Sequence, residues 1–490
     1  MAQASGLCRR VLKDPRRTGV PPHKQATFYN SGIGFPALTR RDLLAAAAGG
    51  FTLRGRAAER SVYLSLAEAR PVLESFAAEL PSGLQGGSLN ADAWLAWETA
   101  RDQEIRSRLK GGDADSVVNL VMFGTSFTAQ PRVAPNQSED ATGRLILARI
   151  KDMVQAVSHP GRNERLRFAA EWLKENGADP SRPAAGRRVE AVLLENALRM
   201  LREQREYART IDEAKRKEDT AGLFVTRSSL YRSRGLSLDT SFRPNFAIER
   251  SLAAMKAAGH LTRVRRAAVI GPGLDFADKR SGYDFYPVQT LQPFALIDSL
   301  RKLKLAGPSG PEVEIFDLSG RVLSHVRQAL AQARAGSPYT VQIPLDGGAA
   351  WLPETVDYWR RFGSEIGAEA KPLSPPAGVR ARMHARRIRP DVVTLLRPAD
   401  VDIVIEHLPL PDDQRLDLIV ATNVLVYYSP FEQALALRNI AGMLRTGGML
   451  LTNNAVPEVQ GLPMRPAGAT SVAYSEDPDD GDRVVWYTRS

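Results

Sequence analysis

The chain has 490 residues, 43% of them hydrophobic and 25% charged, which predicts two or three globular domains and excludes a largely disordered chain. Its single cysteine excludes a disulfide within the chain, and its six histidines are not paired at metal-ligand spacing, so no metal site is predicted. The net charge of +11 does not indicate nucleic-acid binding, because residues 1–60 hold eleven Lys and Arg against three Asp and Glu and leave the remainder close to neutral.

Residues 1–60 form a basic leader, predicted to be disordered over 1–36, where Arg, Pro, Gly and Ser recur without periodicity. The run TRRDLL at 39–44, followed by a short apolar stretch, resembles a twin-arginine (Tat) export signal. Arg54 and Arg56 depart from that pattern, because they stand where the cleavage region should be neutral. An amphipathic helix with a chance arginine pair is the alternative. No apolar run approaches the roughly 18 residues of a membrane span.

Residues 61–255 are predicted to form a mainly helical domain. Apolar residues recur at helical spacing over 64–80, 91–109 and 187–217, and a shorter apolar stretch covers 117–123. Such stripes usually pack into a core or against a partner helix, and no catalytic motif accompanies them. We therefore expect the chemistry in the residues that follow.

Residues 222–245 interrupt the helical pattern with serines and several polar, mostly basic side chains: Arg227, Tyr231, Arg232, Arg234 and Arg243. Active-site loops on α/β folds are often polar and carry arginine, so this segment is a candidate lid or substrate-recognition loop. An ordinary connection between domains is the alternative. A helix predicted over 246–258 then leads into the first strand.

A glycine turn, Gly271-Pro272-Gly273, follows the first buried strand of the C-terminal half, 267–270. Glycine lets the backbone approach a ligand closely and adopt torsions that other residues avoid. A dinucleotide-binding fingerprint would have a third glycine where Phe276 stands, which disfavours an NAD-linked oxidoreductase.

The next predicted strand, 313–317, ends in a carboxylate, Asp317. This acid lies 44 residues after Gly273, whereas dinucleotide fingerprints place theirs about 20 residues on. A carboxylate at this point can accept both hydroxyl hydrogens of a ribose. Capping of the helix predicted at 319–333 is the alternative role.

The block 417–454 is predicted to be strand, turn, helix and strand, a βαβ crossover in a parallel sheet. Its turn begins with Asn423 and Val424 and contains Tyr427 and Tyr428. Because ligands bind outside the carboxyl ends of parallel strands, we expect this turn, the glycine turn and the acid to share one crevice. The predicted fold class is α/β, a Rossmann-like doubly wound sheet preceded by the helical domain.

Two insertions are predicted within this sheet, at 278–292 and 336–390. The first is polar and aromatic and leaves a strand's carboxyl end, so Asp284 and Tyr286 are candidate substrate contacts. The second carries basic residues at alternate positions from 380 to 386. That alternation favours an edge strand guarded by charge over a site for an anionic substrate.

These features together resemble a class I S-adenosylmethionine-dependent methyltransferase from Val264 to the C-terminus, within a domain predicted at 256–490. The turn NVLVYY at 423–428 and the run LRTGG at 444–448 are similar to the chemotaxis-receptor methyltransferase group, which has Asn-Val-Leu-Ile-Tyr-Phe and Pro-Gly-Gly there. The segments 470–475 and 483–488 resemble the antiparallel final hairpin of the class I sheet. The N-terminal region does not match the helical domain of receptor methyltransferases, so glutamate methylation is not predicted.

The resemblance implies a site for S-adenosylmethionine. The glycine turn would pass the amino-acid part of the cofactor and the acid would hold its ribose. A third strand predicted at 402–407 would place Glu406 or His407 near adenine, where the family often has an acid. One departure is Val269, which replaces the acid that the family usually has two residues before the first glycine. The implied cofactor-binding residues are Gly271, Pro272, Gly273, Asp317, Leu318, His407, Leu408, Asn423 and Val424.

The predicted activity is methyl transfer to a small-molecule or protein acceptor that the sequence does not name. In-line displacement at a sulfonium carbon depends mainly on alignment and on exclusion of water. Where a base is needed, the candidates are Tyr427, Tyr428, Asp284 and His407. The alternative is a non-catalytic cofactor-binding or scaffold protein with the same fold. Cofactor supply favours the cytoplasm, whereas the leader favours export.

Overall fold

The computed structural model describes residues 61–85, 89–134, 137–216, 235–236, 239–277, 283–345, 351–376, 379, 381–453, 455–477 and 480–490. The leader and most of the predicted lid, including four of its five polar residues, lie outside the described residues, as does part of the first insertion. Within the described ranges, every helix is too short or too polar to cross a membrane.

The helices of the described chain are α1 (Leu66–Ser75), α2 (Ala91–Phe123), α3 (Glu139–Ser158), α4 (Glu164–Glu175), α5 (Gly186–Arg216), α6 (Pro244–Ala257), α7 (Gln292–Lys302), α8 (Gly320–Arg334), α9 (Pro353–Arg361), α10 (Pro390–Val393) and α11 (Pro430–Met443). The strands are β1 (Val62–Tyr63), β2 (Arg266–Ile270), β3 (Glu312–Asp317), β4 (Tyr339–Pro344), β5 (Gly367–Glu369), β6 (Met383–Ile388), β7 (Leu396–Asp400), β8 (Glu406–His407), β9 (Leu416–Ala421), β10 (Leu444–Thr452), β11 (Met464–Ala473) and β12 (Gly481–Arg489).

The main sheet has the strand order β11-β12-β10-β9-β2-β3-β7. From β10 to β7 neighbouring strands run parallel, whereas β12 is antiparallel to both β10 and β11. The βαβ crossover predicted in the block 417–454 is present as β9, α11 and β10. The predicted fold class is confirmed, and so is the antiparallel final hairpin.

Side chains of the central strands alternate between two hydrophobic cores because successive residues point to opposite faces of a sheet. Ala267 and Val269 of β2 pack with Leu418 of β9 in the core beneath α6 and α7. Ala268 and Ile270 belong to the core on the other face, which also contains residues of α1, α2 and α11. The sheet is therefore covered on both sides, as a parallel sheet requires.

The helix α2 spans 33 residues and joins two segments, 91–109 and 117–123, that the sequence predicts separately. The interruption in the pattern is Gly111-Gly112, and a Cβ on Gly235 would clash with the backbone of both glycines. These glycines lie inside the helix because another stretch of backbone packs directly against them. Trp94 and Ile105 of α2 join the core of the sheet. Whether 61–255 is a separate domain stays a prediction.

A smaller antiparallel sheet, in the order β4-β6-β5, lies within the predicted second insertion. Its basic strand β6 pairs with β4 on one side and β5 on the other. The predicted edge strand is thus wrong, because β6 is the central strand of this sheet. Arg386 is buried, and its Nε donates to the carbonyl oxygen of Phe362 at 2.8 Å, so it is part of the packing.

The strand predicted at 402–407 is also wrong. The strand beside β3 is β7, which pairs in parallel with it up to Asp317 and Asp400. Residues after β7 form a compact turn in which the Asp402 carboxylate accepts the N–H of Val404 at 3.0 Å. The consecutive apolar residues 403–405 resemble a strand in sequence, whereas Pro398 interrupts the pattern of the true strand. Proline is tolerated in β7 because it is an edge strand.

Candidate active site

A cavity of about 470 Å³ lies at the carboxyl ends of β2, β3 and β9. The strand order continues from β2 through β3 on one side and through β9 on the other, so the cavity lies at the topological switch point, where ligands bind in open α/β sheets. Its volume falls within the roughly 300–1,000 Å³ of small-molecule sites. Residues before α6 and at the β11–β12 turn form the opposite wall.

The glycine turn after β2 borders the cavity with backbone. Gly271 and Gly273 have left-handed φ angles of 63° and 61°, a conformation that favours glycine. The Gly271 N–H donates to the carbonyl oxygen of Phe316 at 2.7 Å, which fixes the turn against the end of β3. A Cβ added to Gly271 would lie 2.8 Å from Cγ2 of Val424. Glycine therefore keeps both the turn and the space between β2 and β9.

Asp317 lies at the end of β3 and lines the cavity. Its Oδ1 accepts the N–H of Ser319 at 2.8 Å, while the side chain of Ser319 caps α8. Desolvation raises the pKa of the Asp317 carboxyl to about 7, opposed by backbone N–H donors of Ser319, Gly273 and Leu318 and reinforced by Asp400. Ser319 and not Asp317 is therefore the N-cap of α8, and Asp317 lines the cavity.

The turn after β9 supplies the third part of the wall, with Asn423, Val424 and Tyr427 among its lining residues. Asn423 is exposed and has a left-handed φ of 60°, which is uncommon for a residue other than glycine. Its N–H donates to Oδ1 of Asn453 at 2.8 Å. A strained backbone at this place is the kind found at binding sites, where the surrounding structure maintains it.

The two tyrosines of this turn differ in their surroundings. Tyr427 is half-buried, and Arg108 of α2 donates to its carbonyl oxygen. Tyr428 is 3% exposed, with the Arg101 guanidinium 5.6 Å from its ring centroid. Burial, with Asp402 nearby, raises the pKa of Tyr428 above its usual range. Tyr428 therefore remains protonated at neutral pH.

The opposite wall carries acidic and hydroxyl groups around one arginine. Nη1 of Arg243 lies 2.5 Å from Oδ1 of Asp480, and both side chains are buried. The Tyr474 hydroxyl donates to Oδ2 of Asp482 at 2.6 Å. Asp239 also lines the cavity and accepts the N–H of Ala277 at 2.9 Å. The final hairpin and the chain entering α6 are thus tied together beside the cavity.

The predicted site residue Asp284 lies away from the described walls of the cavity. It is 2% exposed, and its carboxylate accepts the N–H groups of Thr125 (2.7 Å) and Ser126 (2.9 Å) together with both of their hydroxyls. The carboxylate therefore fastens the first insertion to the chain that leaves α2. Tyr286 is buried as well, and its hydroxyl donates to Asp275 at 2.9 Å.

Three predicted cofactor-binding residues are also placed elsewhere. Pro272 is buried and is not among the described lining residues, unlike the glycines on either side. His407 belongs to β8, which pairs with β1, and desolvation lowers its pKa. Leu408 packs in the core that contains α11. His407 and Leu408 are predicted at the cavity because the sequence predicts the third strand at 402–407. The strand in that place is β7, so both residues lie elsewhere.

Several lining residues were not predicted, among them Leu109 of α2. Val401 and Ile403 follow β7 and extend the wall beyond Asp317. In the sequence these residues follow Asp400, an acid like the one that ends β3. Pro398 made the run before them unlike a strand. Tyr474 and the acidic turn before β12 also reach the cavity. The acidic turn was visible in the sequence only as the connection of a hairpin.

The described residues contain no group of three or more His, Cys, Asp or Glu side chains placed to hold a metal ion. The described acids that line the cavity have other partners. Asp317 and Asp239 accept backbone N–H groups, Asp482 accepts the Tyr474 hydroxyl, and Asp480 pairs with Arg243.

No protein-family model and no curated protein matches the sequence. Among solved structures, the chain is similar to the N-methyltransferase NodS from Bradyrhizobium japonicum WM9 in complex with S-adenosyl-L-homocysteine (12% identity over 54% of this chain and 98% of that chain, TM-score 0.25). It is also similar to the glycopeptide N-methyltransferase MtfA complexed with S-adenosyl-L-methionine (12%, 50% and 79%, 0.21). A third similar structure is MtNAS in complex with MTA and tNA (11%, 73% and 91%, 0.23). TM-scores this low add nothing to the topology described above, and the nearer resemblance to the chemotaxis-receptor group stays a prediction.

Proposed function

We propose that the protein binds S-adenosylmethionine in this cavity and transfers its methyl group to an acceptor. One observation carries the proposal: the glycine turn, the carboxylate and the Asn423 turn, predicted from separate parts of the sequence, line one cavity at the switch point of the sheet. The cavity is of a size for a nucleoside-bearing ligand.

The residues present fit the cofactor. The backbone of Gly271 and Gly273 lines the cavity where the amino-acid part would lie, and a Cβ on Gly271 would meet Val424. Asp317 would accept the ribose hydroxyls, with Leu318 beside it. Val401 and Ile403 form an apolar wall suited to the faces of adenine, in place of the predicted Glu406 and His407. Asn423 and Val424 would lie beside the methyl group.

S-adenosylmethionine, when bound, supplies a methyl carbon made electrophilic by a sulfonium. The protein's part is to align this carbon with the acceptor and to exclude water from the cavity. The turn after β9 provides the wall for that alignment, because its backbone is held by Asn453 and by Arg108 of α2. Tyr428 does not serve as a base near neutral pH, since its pKa is raised by burial. Asp284 is not part of the proposed site, because its carboxylate accepts hydrogen bonds from Thr125 and Ser126.

Calorimetric titration of the full chain with S-adenosylmethionine and S-adenosylhomocysteine tests the proposal. We expect both to bind, and Asp317→Asn to weaken binding by about tenfold or more, because hydrogen bonds to a charged group contribute roughly 1.5–3 kcal/mol. The control variant is Asp412→Asn, which removes an exposed carboxylate that is not among the lining residues of the cavity. NAD is titrated in parallel to test the oxidoreductase alternative.

Absence of binding by the wild-type protein, or equal binding by Asp317→Asn, would contradict the proposal. A non-catalytic cofactor-binding protein would bind both compounds but transfer no label from S-adenosylmethionine labelled in its methyl group, whatever amines, alcohols, thiols or proteins are offered. Methyl transfer to any of these acceptors would exclude that alternative.

A further inference from the structure

The helix α2 forms part of the cavity wall, although it belongs to the segment in which the sequence shows no chemistry. Leu109 lines the cavity, and so does Leu236, whose N–H donates to the carbonyl oxygen of Arg108 at 2.9 Å. Gly111 and Gly112 let the backbone at Gly235 pack directly on the helix. The helix therefore positions a second stretch of chain at the same wall.

Two arginines of α2 hold the segment that follows β9. Arg101 and Arg108 are seven residues apart, which is about two helical turns, so they project from the same face. Nη1 and Nη2 of Arg108 each lie 3.2 Å from the carbonyl oxygen of Tyr427. Arg101 is buried and forms an ion pair with Glu432, the carboxylate of the capping box that begins α11. The C-terminal end of the turn after β9 is thus attached to α2, while Asn453 holds its first residue, Asn423.

This attachment matters because the turn itself is short of regular backbone structure. It consists of Asn423 in a left-handed conformation and a single 3₁₀ turn, Leu425–Tyr427. Strained torsions persist only where the surroundings hold them. Desolvation lowers the pKa of Arg108, and the nearby Tyr428 and Glu432 oppose that shift.

We infer that Arg108 is a positioning residue for methyl transfer, acting through the Tyr427 carbonyl to hold the wall beside the methyl and amino-acid end of the cofactor. This inference rests on the proposed function. It predicts that Arg108 affects one end of the ligand only, because Asp317 and the wall after β7 hold the nucleoside end independently. A residue needed merely for folding would affect both ends alike.

Titrating the full chain with two ligands distinguishes effects at the two ends of the cofactor. Adenosine has only the nucleoside part, whereas S-adenosylhomocysteine also has the amino-acid part. For Arg108→Met we expect affinity for S-adenosylhomocysteine to fall by about tenfold, with adenosine affinity changed by less than about twofold. Arg108→Lys should restore most of the loss, because one carbonyl oxygen is the acceptor and a single ammonium can reach it. Asp317→Asn should weaken both ligands. The matched control is Lys110→Met, an exposed position on the same helix.

Equal losses for both ligands in a folded Arg108→Met protein, or no loss for either, would overturn the inference. Thermal unfolding establishes whether each variant is folded. If Arg108→Met does not fold, Arg108→Lys is compared with the wild type, and a tenfold fall in its ratio of the two affinities would overturn the inference. If wild-type protein binds neither ligand, the proposed function fails as well, whereas binding with an unchanged ratio in Arg108→Met overturns this inference alone.

Discussion

Replacing Gly271 by alanine tests the geometry of the glycine turn quantitatively. The φ of Gly271 is 63°, and a left-handed conformation costs an L-residue about 1–2 kcal/mol. The added Cβ would lie 2.8 Å from Cγ2 of Val424, whereas carbon atoms in favourable contact are about 3.5–4.0 Å apart. Val424 must therefore move, and a side chain forced off its rotamer costs about 0.5–1.5 kcal/mol more. The total loss of unfolding free energy should be about 1.5–3.5 kcal/mol.

Gly259→Ala is the matched control for backbone strain. Gly259 has a φ of 76°, but nothing lies within 4 Å of its added Cβ. It should cost about 1–2 kcal/mol through the backbone alone. In calorimetric titration we expect Gly271→Ala to weaken S-adenosylhomocysteine binding by about tenfold or more, because Val424 is displaced into the cavity, while Gly259→Ala leaves the affinity unchanged. Equal affinities for the two variants would refute the role assigned to the turn.

Three further predictions concern the carboxylates. Because the raised pKa of Asp317, about 7, increases its protonated fraction below neutral pH, affinity for S-adenosylhomocysteine should fall by about tenfold from pH 8 to pH 6; calorimetry should show no such fall in Asp317→Asn. Asp480→Asn removes the carboxylate that Arg243 contacts inside the protein, so denaturant unfolding should show that the free energy of unfolding falls by about 3–5 kcal/mol. The control Glu476→Gln, at an exposed position in the same turn, should change it little. Similar losses for the two variants would argue against the buried pair. Asp284→Ala should cost about 3 kcal/mol or more through its lost hydrogen bonds, with S-adenosylhomocysteine affinity unchanged in the folded variant; a selective loss of affinity would return Asp284 to the site.

The central part of the site could be predicted because its signals are local. Each of the runs before Gly271, Asp317 and Asn423 is apolar enough to be a buried strand. Each run is followed at once by glycine, aspartate or asparagine, which are uncommon in strands. Parallel pairing then brings the three carboxyl ends to one edge, whatever the lengths of the connections between them. Order along the chain was enough to infer proximity in space.

The outer parts of the site could not be predicted because they depend on tertiary context. Pro398 is compatible with a strand only because β7 is at the edge of the sheet. The glycine pair in α2 looks like an interruption until Gly235 is seen packed against it. Asp482 reaches the cavity only through the long-range pairing of the final hairpin with β10. None of these relations is encoded in a local pattern of apolar and polar residues.

The most direct measurement of the central claim is a crystal structure of the full chain grown with S-adenosylhomocysteine. We expect ligand density in the cavity between β2, β3 and β9, with the ribose hydroxyls within hydrogen-bond distance of Asp317. The amino-acid part should lie over Gly271 and Gly273, and the sulfur should lie nearest the turn that contains Asn423. Density for the ligand outside this cavity, or crystals with the compound in excess and the cavity empty, would contradict it.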